Sequence, residues 1–270
     1  MRSSLARFVL ARLGAASLFI LVVAASAFLL VRFAPGDATS DLFMHRVDQK
    51  AIDASRQRLG LDEPVTAQLA RWAGGLVRFD LGQSSRYGIP VAGLVANRLV
   101  NTASLAALAL LMAAVGIPLG ILTGSRPRSL LARVVSVVSV ALVCCPPVVG
   151  TLALLFFGAA TGWLSVAPGH VLLPALALAV PLAAMLERLQ SQPATEGMRA
   201  PDIAAAAARG IPTARLVWLH AGRHALRSVL GVAGIIIATL FSGSIAVETM
   251  TSWRGLGRLM LEALTSRDLY

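Results

Sequence analysis

The chain has 270 residues, of which 57% are hydrophobic and 14% are charged, and its mean hydropathy is +0.75. Soluble domains have about 25% charged residues, so this composition excludes a soluble globular protein and an intrinsically disordered one. The net charge of +11 is typical of membrane proteins, whose cytoplasmic loops accumulate Lys and Arg, and does not require a nucleic-acid partner. We therefore expect an all-α, polytopic membrane protein.

Five apolar segments are long enough to cross a bilayer as helices. The third and fourth belong to one run of 53 residues, Val134–Leu186, that contains no Asp, Glu, Lys or Arg. Glycine and proline interrupt this run at Gly158–His170, so we expect a turn there between two spans. The predicted spans are residues 8–31, 99–122, 134–157, 171–186 and 228–247.

The arginine distribution predicts a cytoplasmic N-terminus, because positive charge collects in short inner loops. Arg2 and Arg7 precede the first span, whereas the short outer turn at residues 159–170 has no Arg or Lys. The resulting organisation has three parts and one large inner loop. These are residues 1–31 (cytoplasmic N-terminus and first span), 32–98 (an extracytoplasmic segment) and 99–270 (the membrane-spanning core, with a cytoplasmic loop at 188–227).

Short helices are predicted in both extramembrane segments. In the outer segment, Val47–Leu59 and Pro64–Phe79 have amphipathic patterns. In the inner loop, Pro201 opens an alanine-rich helix that Gly210 should stop, and Pro212 should open a second helix.

The sequence has no pattern that indicates catalysis. It lacks a phosphate-binding Gly-x-x-x-x-Gly-Lys-Ser/Thr loop, so the chain should not hydrolyse ATP itself. We expect no enzyme activity, no bound cofactor and no metal site. Glu187 and Glu248 fall at predicted span ends, where Glu187 should pair locally with Arg188. Without a carboxylate inside the bilayer, the sequence does not favour a proton-coupled carrier, so the energy source should lie in another protein.

A series of short motifs runs through the chain in a fixed order. The outer segment contains Arg58-Leu59-Gly60-Leu61-Asp62-Glu63-Pro64 and then Asp80-Leu81-Gly82-Gln83-Ser84, and Asn101-Thr102 follows at the start of the second span. Pro35-Gly36-Asp37 precedes these motifs, and Glu248-Thr249 and Gly255-Leu256-Gly257-Arg258-Leu259 follow the fifth span. This series resembles the permease subunit of the dipeptide/oligopeptide/nickel family of binding-protein-dependent ABC importers. The outer residues that carry the resemblance best are Gly60, Asp62, Pro64, Asp80, Gly82 and Ser84.

The resemblance implies an ATPase-coupling helix in the inner loop. Its implied residues are Glu196, Pro201, Ala206, Ala208, Arg209 and Gly210. It also implies four kinds of partner in the bacterial inner membrane and around it: a second permease subunit, two ATPases that bind ATP, an extracytoplasmic substrate-binding protein and lipid. The implied cargo is a di- or oligopeptide, with nickel or another metal chelate as the alternative.

Some positions depart from the family pattern. Ala204, Ala205 and Ala207 stand where the family usually has polar or charged residues, and the sequence ends at Tyr270, where the family continues into a sixth span. These departures leave a second class of function open, namely a truncated, non-transporting membrane remnant or scaffold. The intact outer motifs favour the permease.

Overall fold

A computed structural model of the protein describes residues 2–33, 63–78, 80–84 and 86–266. Every regular element in these ranges is helical, apart from one isolated antiparallel bridge between Gln83 and Pro90. The helices are α1 (Arg2–Phe33), α2 (Val65–Val77), α3 (Val91–Ala113), α4 (Gly116–Ser125), α5 (Leu130–Cys144), α6 (Pro147–Thr161), α7 (Leu172–Met198), α8 (Pro201–Ala208), α9 (Gly222–Gly231), α10 (Ala233–Met250) and α11 (Leu256–Ser266). They form two compact units, residues 1–96 with 262–270, and residues 97–261.

Four helical segments in the described ranges are long and apolar enough to span a membrane, and α5 with α6 is a fifth if this bent pair is one span. The predicted all-α, polytopic architecture is thereby confirmed. The boundaries differ from the prediction. The second span begins at Val91 instead of Leu99, the fourth continues to Met198 instead of Leu186, and the fifth begins at Ala233 instead of Ser228.

The third predicted span is not one straight helix. Its two halves, α5 and α6, meet at an angle of 106°. The cause is Pro146-Pro147, since a proline removes a helical N–H donor and forces the preceding residue out of the helical conformation. Cys145 is accordingly extended, with φ −76° and ψ 121°.

In the first unit, the outer segment contains one of its two predicted helices. Helix α2 confirms the prediction for Pro64–Phe79, whereas Val47–Leu59 lies outside the described residues. The aromatic rings of Phe28 on α1 and Trp72 on α2 pack with their centroids 5.7 Å apart, and Phe28 is buried. Most other side chains of α1 are exposed, as expected for a helix that lies against lipid.

In the second unit, glycine allows two helices to touch along their backbones. Gly116, Gly120 and Gly124 recur every four residues and therefore form one face of α4. A Cβ atom at each position would overlap the backbone of α7, at Ala183, Glu187 and Ser191 respectively. Small residues at this spacing are the usual means of close helix packing in membranes. Helix α7 is thus packed closely against α4 from Ala183 to Ser191.

Candidate functional site

Helix α8, in the loop between α7 and α10, has sharply defined ends. Pro201 occupies its first turn after the extended Ala200. At its end Gly210 has φ +79°, and the N–H of Gly210 donates to the carbonyl of Ala207 at 3.0 Å. A Cβ at Gly210 would meet no atom within 4 Å, so backbone conformation rather than space requires glycine here. The predicted helix and its glycine stop are confirmed.

The two faces of α8 have different environments. Ile203 and Ala206 are each 2% exposed and pack against Leu216 and Ala221 of the same chain. The opposite face consists of exposed alanines, namely Ala204, Ala205, Ala207 and Ala208. Among the predicted coupling residues, Ala206 therefore lies on the covered face.

The other predicted coupling residues are exposed. They are Glu196, Pro201, Ala208, Arg209 and Gly210. Arg209 folds back along α8, because its Nε donates to the carbonyl of Ala205 at 3.2 Å. That carbonyl belongs to the last turn and also accepts from the N–H of Arg209 at 3.3 Å, and a cation is favourable at this end of a helix. The coupling role of these residues remains a prediction.

A second helical segment begins after Pro212, as predicted, but it is not a regular α-helix throughout. Pro212 precedes a single α-helical turn, Thr213–Arg215, which is followed by a π-helical turn, Leu216–Ala221, and then by α9. The π-helical turn carries Leu216 and Ala221, whose side chains cover Ile203 and Ala206 on α8. Such turns are rare and concentrate at functional sites.

Glu187 does not lie at the end of its helix, contrary to the sequence prediction. Because α7 continues past Leu186, Glu187 is inside the helix and 2% exposed. Its Oε1 accepts a hydrogen bond of 2.7 Å from the hydroxyl of Thr123 on α4. The expected pair with Arg188 is wrong, because consecutive helical residues point in different directions and Arg188 is exposed.

The surroundings of Glu187 leave several buried polar atoms unsatisfied. Neither Oε2 of Glu187 nor either amide atom of the buried Gln190 has a hydrogen-bond partner among the described residues. The sequence analysis missed Thr123 and Gln190. The available signal was the four-residue glycine spacing of α4, which predicts a closely packed partner helix and so a buried face on α7.

Glu248 is also buried, and both of its carboxylate oxygens accept hydrogen bonds. It is 0% exposed. Its Oε1 accepts a hydrogen bond of 2.7 Å from the hydroxyl of Thr102, and its Oε2 accepts one of 3.1 Å from the N–H of Arg258. The Thr102 oxygen in turn accepts from the N–H of Leu256 at 2.7 Å. The expectation of no carboxylate buried within the spans is therefore wrong at both Glu187 and Glu248.

The Glu248 network brings together motifs that are far apart in sequence. A Cβ at Gly255 would overlap the Glu248 carboxylate, and one at Gly257 would lie 2.6 Å from the Cα of Ile245. Asn101 fixes the same turn, because its Nδ2 donates to the carbonyl of Arg254 at 2.8 Å. The Asn101-Thr102, Glu248-Thr249 and Gly255–Leu259 motifs thus form one structural junction.

The described outer motif residues shape a tight loop. The Asp80 Oδ1 accepts from the N–H of Gly82 at 3.0 Å, and Gly82 has φ +72°. Ser84 is buried, and its Oγ accepts from the N–H of Tyr87 at 3.1 Å. The carbonyl of Pro64 caps the start of α2 by accepting from the N–H of Gln68 at 3.1 Å. Gly60 and Asp62 lie outside the described residues, and a functional role for the set remains a prediction.

Comparisons with known proteins cover nearly the whole chain. The family described as "Binding-protein-dependent transport system inner membrane component" matches residues 116–270, and the N-terminal region of the same kind of component matches residues 5–106. A putative peptide transport system permease protein of Brucella suis is 34% identical over 97% of this chain and 88% of its own length. A probable peptide ABC transporter permease protein of Sinorhizobium fredii is 30% identical over the same shares. A glutathione transport system permease protein of Escherichia coli is 29% identical over 92% and 83%.

Proposed function

Because the chain belongs to the family of binding-protein-dependent transport system inner membrane components, we propose that it is the permease subunit of a peptide importer. In this proposal its N-terminus is cytoplasmic, and the chain pairs with a second, similar permease to enclose the pathway. Two separate ABC ATPase subunits bind and hydrolyse ATP, so this chain holds no cofactor. An extracytoplasmic binding protein delivers the peptide to the outer side.

The names of the relatives support peptides as the cargo. They are described as peptide, oligopeptide and glutathione permeases, and glutathione is itself a small peptide. This shared chemistry favours di- and oligopeptides over nickel or another metal chelate, which the resemblance left as the alternative.

The exposed alanine face of α8 is the observation that carries the coupling role. Small side chains permit close approach of a partner surface, and four exposed alanines leave such a surface free. An eight-residue helix is marginal on its own, so α8 depends on the contacts of Ile203 and Ala206 with the rest of the chain. The covered face of α8, with Ile203 and Ala206, therefore anchors the helix, and the exposed alanine face is available to an ATPase.

A continuous series of packed side chains connects α8 with α7 and α4. Met198, at the end of α7, contacts both the cluster under α8 and a second cluster that contains Ile121 of α4. Closely packed groups shift together rather than deform, so a displacement of α8 would move α7 and the α4 glycine face with it. ATP would drive the change because the ATPases bind it with different affinity in the two states.

The coupling role can be tested in the four-subunit core reconstituted in proteoliposomes with the binding protein. The informative variant is Ala208→Glu, which places a charge on the free face of α8. An unpaired charge buried at an interface costs about 3 kcal/mol or more, so we expect peptide-stimulated ATP hydrolysis and uptake to fall at least about tenfold. Gly210→Val should have a similar effect, because a β-branched residue does not tolerate positive φ.

Ala214→Glu is the matched control, because Ala214 is also exposed but lies outside α8. It should leave both rates unchanged. Uptake by Ala208→Glu at the wild-type rate would contradict the coupling assignment. Absence of any peptide uptake by the complete wild-type complex would contradict the proposed function and favour the non-transporting alternative.

A further inference from the structure

A small apolar cleft lies where the bend between α5 and α6 meets α7 and α10. Its volume is about 160 Å³, and none of the residues that line it is charged. The residues that matter for the argument are Cys145, Pro147, Leu178, Leu182, Leu240 and Gly243.

The bend lies within the apolar layer of the membrane. Helices α5 and α6 each have 15 residues, which corresponds to about 22 Å at 1.5 Å per residue. A hydrocarbon core is about 30 Å thick, so neither helix crosses it alone. Helix α5 follows Arg126 and Arg128, which belong at an interface. The bend is therefore reached before the opposite interface.

The bend leaves a backbone acceptor free. In a continuous helix, the carbonyl of Val143 would accept from the N–H of residue 147, but Pro147 has none. The Val143 carbonyl has no hydrogen bond to the described residues, whereas the preceding carbonyl, of Leu142, accepts from Cys145 at 3.3 Å. Val143 and Pro147 are also exposed on this chain.

A backbone carbonyl at this depth without a hydrogen bond to the described residues limits what the bend can face. Irregular backbone within a membrane is tolerated where protein covers it or where it lines a hydrated cavity, but not against lipid. Broken membrane helices with free carbonyls commonly form the substrate sites of transporters. The apolar cleft suits an apolar side chain, and the carbonyl of Val143 suits a backbone N–H donor. A peptide carries both groups.

We propose that this cleft is a subsite of the transport pathway that receives one apolar side chain of the passing peptide, while the carbonyl of Val143 accepts a hydrogen bond from a peptide N–H. The inference rests on the proposed function and specifies its substrate class. An apolar cavity of about 150 Å³ holds one benzene ring, so the cleft fits a single Leu- or Phe-sized side chain. Pockets that hold a whole small-molecule ligand are larger, about 300–1,000 Å³, so only part of a peptide fits. A charged side chain would find no partner in this cleft and would be costly to bury.

The two cysteines of the chain provide a test with an internal control. Cys145 lines the cleft, whereas its neighbour Cys144 is exposed and does not line it. In the full transporter in nanodiscs, Cys144→Ser leaves Cys145 as the only thiol of this chain, and Cys145→Ser leaves Cys144. Alkylation by N-ethylmaleimide is followed on this subunit by mass spectrometry, with trileucine or triglycine present.

We expect trileucine, at ten times the concentration that gives half-maximal protection of Cys145, to slow alkylation of this thiol about tenfold, because the rate falls with the fraction of occupied sites. Triglycine should not slow it, and neither peptide should protect Cys144. Equal protection of both thiols, or protection of neither, would overturn the subsite.

A second pair of variants tests the same cleft through transport. Gly243→Leu fills the cleft, because a Cβ there would lie 3.4 Å from Cδ2 of Leu178, whereas Gly234 on the same helix has no atom within 4 Å. A misfit of even one methylene in an apolar pocket changes substrate discrimination about 10- to 200-fold. Gly243→Leu should therefore raise the half-saturating concentration for trileucine uptake at least about fivefold and leave triglycine uptake unchanged. Gly234→Leu should change neither.

These outcomes separate the subsite from the proposed function. The binding protein is identical in all variants, so a change in peptide preference belongs to this chain. Uptake of both peptides with an unchanged preference in Gly243→Leu would overturn the subsite alone. Failure of the wild-type transporter to take up either peptide would contradict the proposed function, whatever the alkylation result.

Discussion

Two buried carboxylates in the same helical unit differ in how many of their oxygens accept hydrogen bonds. Glu248 receives hydrogen bonds at both oxygens and holds the turn that follows α10. Glu187 receives one, from Thr123, while its second oxygen and the nearby Gln190 amide have no partner among the described residues. The stability of the first region therefore depends on its carboxylate, whereas the second is held together by glycine packing around its carboxylate.

The difference shows that burial of a charged group is not by itself a measure of its structural importance. A buried acceptor that serves donors is costly to remove, since each orphaned donor costs about 1–3 kcal/mol. A buried polar group with few partners contributes little, and an apolar residue of similar size can replace it at no cost. The same substitution at both sites should thus have different consequences.

The largest expected effect is that of Glu248→Leu. It leaves the hydroxyl of Thr102 and the N–H of Arg258 without their acceptor in a buried junction. We expect the free energy of unfolding to fall by about 3 kcal/mol or more. The measurement is an unfolding titration in detergent followed by tryptophan fluorescence, since Trp253 packs in this junction with its Nε1 3.4 Å from the carbonyl of Asn101. An unchanged midpoint would contradict the role given to the junction.

The next effect tests the glycine packing around Glu187. A Cβ in Gly120→Ala would overlap the carbonyl of Glu187, so overpacking should cost about 1–3 kcal/mol. Gly150→Ala is the matched control, because Gly150 is inside α6 with no atom within 4 Å of an added Cβ. The control should gain up to about 1 kcal/mol from helix propensity. Equal effects of the two variants in the same titration would contradict close packing of α4 on α7.

A smaller effect is expected at the inner end of the same helix pair. The hydroxyl of Thr195 on α7 is placed to donate to the carbonyl of Gly124 on α4 at 2.8 Å. Thr195→Val keeps the shape and removes this bond, and interhelical hydrogen bonds in membrane proteins contribute about 0.6 kcal/mol on average. A loss above about 2 kcal/mol in the unfolding titration would exceed any reported for such a bond and would contradict this account.

The smallest effect is expected from Glu187→Leu. Thr123 keeps a second acceptor, the carbonyl of Gly120 at 3.2 Å, so the substitution orphans no donor. Stability should change by less than about 1 kcal/mol, and an increase is the favoured sign. A loss as large as that of Glu248→Leu would show that the second oxygen of Glu187 has a partner, such as a water molecule, that contributes to stability.

The sequence was sufficient where the relevant interaction is local. Apolar runs identify the membrane-crossing segments, because the bilayer imposes a minimum length of apolar helix. Pro201 and Gly210 mark the two ends of α8, because the conformational limits of proline and glycine depend on the backbone alone. The Pro146-Pro147 pair is also visible in the sequence, but the bend of 106° is missed because the prediction places the only break of the uncharged run at Gly158–His170.

The sequence was insufficient where distant segments decide the environment. Glu187 was placed at a span end because hydropathy falls there, yet α7 extends to Met198 and the glycine face of α4 covers Glu187. Glu248 does lie near the end of α10, but the contact with Thr102 buries it. Ala206 was grouped with the exposed alanines of α8, yet it packs under the helix against Leu216 and Ala221. In each case the covering residues lie elsewhere in the chain.

The sequence by itself therefore determined the helical class, the membrane location, the family and the ends of the short inner helix, since composition, local conformation and motif order suffice for these. Only the tertiary structure decided which carboxylates are buried, which of them serves hydrogen-bond donors, and which face of α8 is free. Those properties depend on contacts such as that of Thr102 with Glu248, 146 positions apart, and no local pattern of residues encodes a contact across that distance.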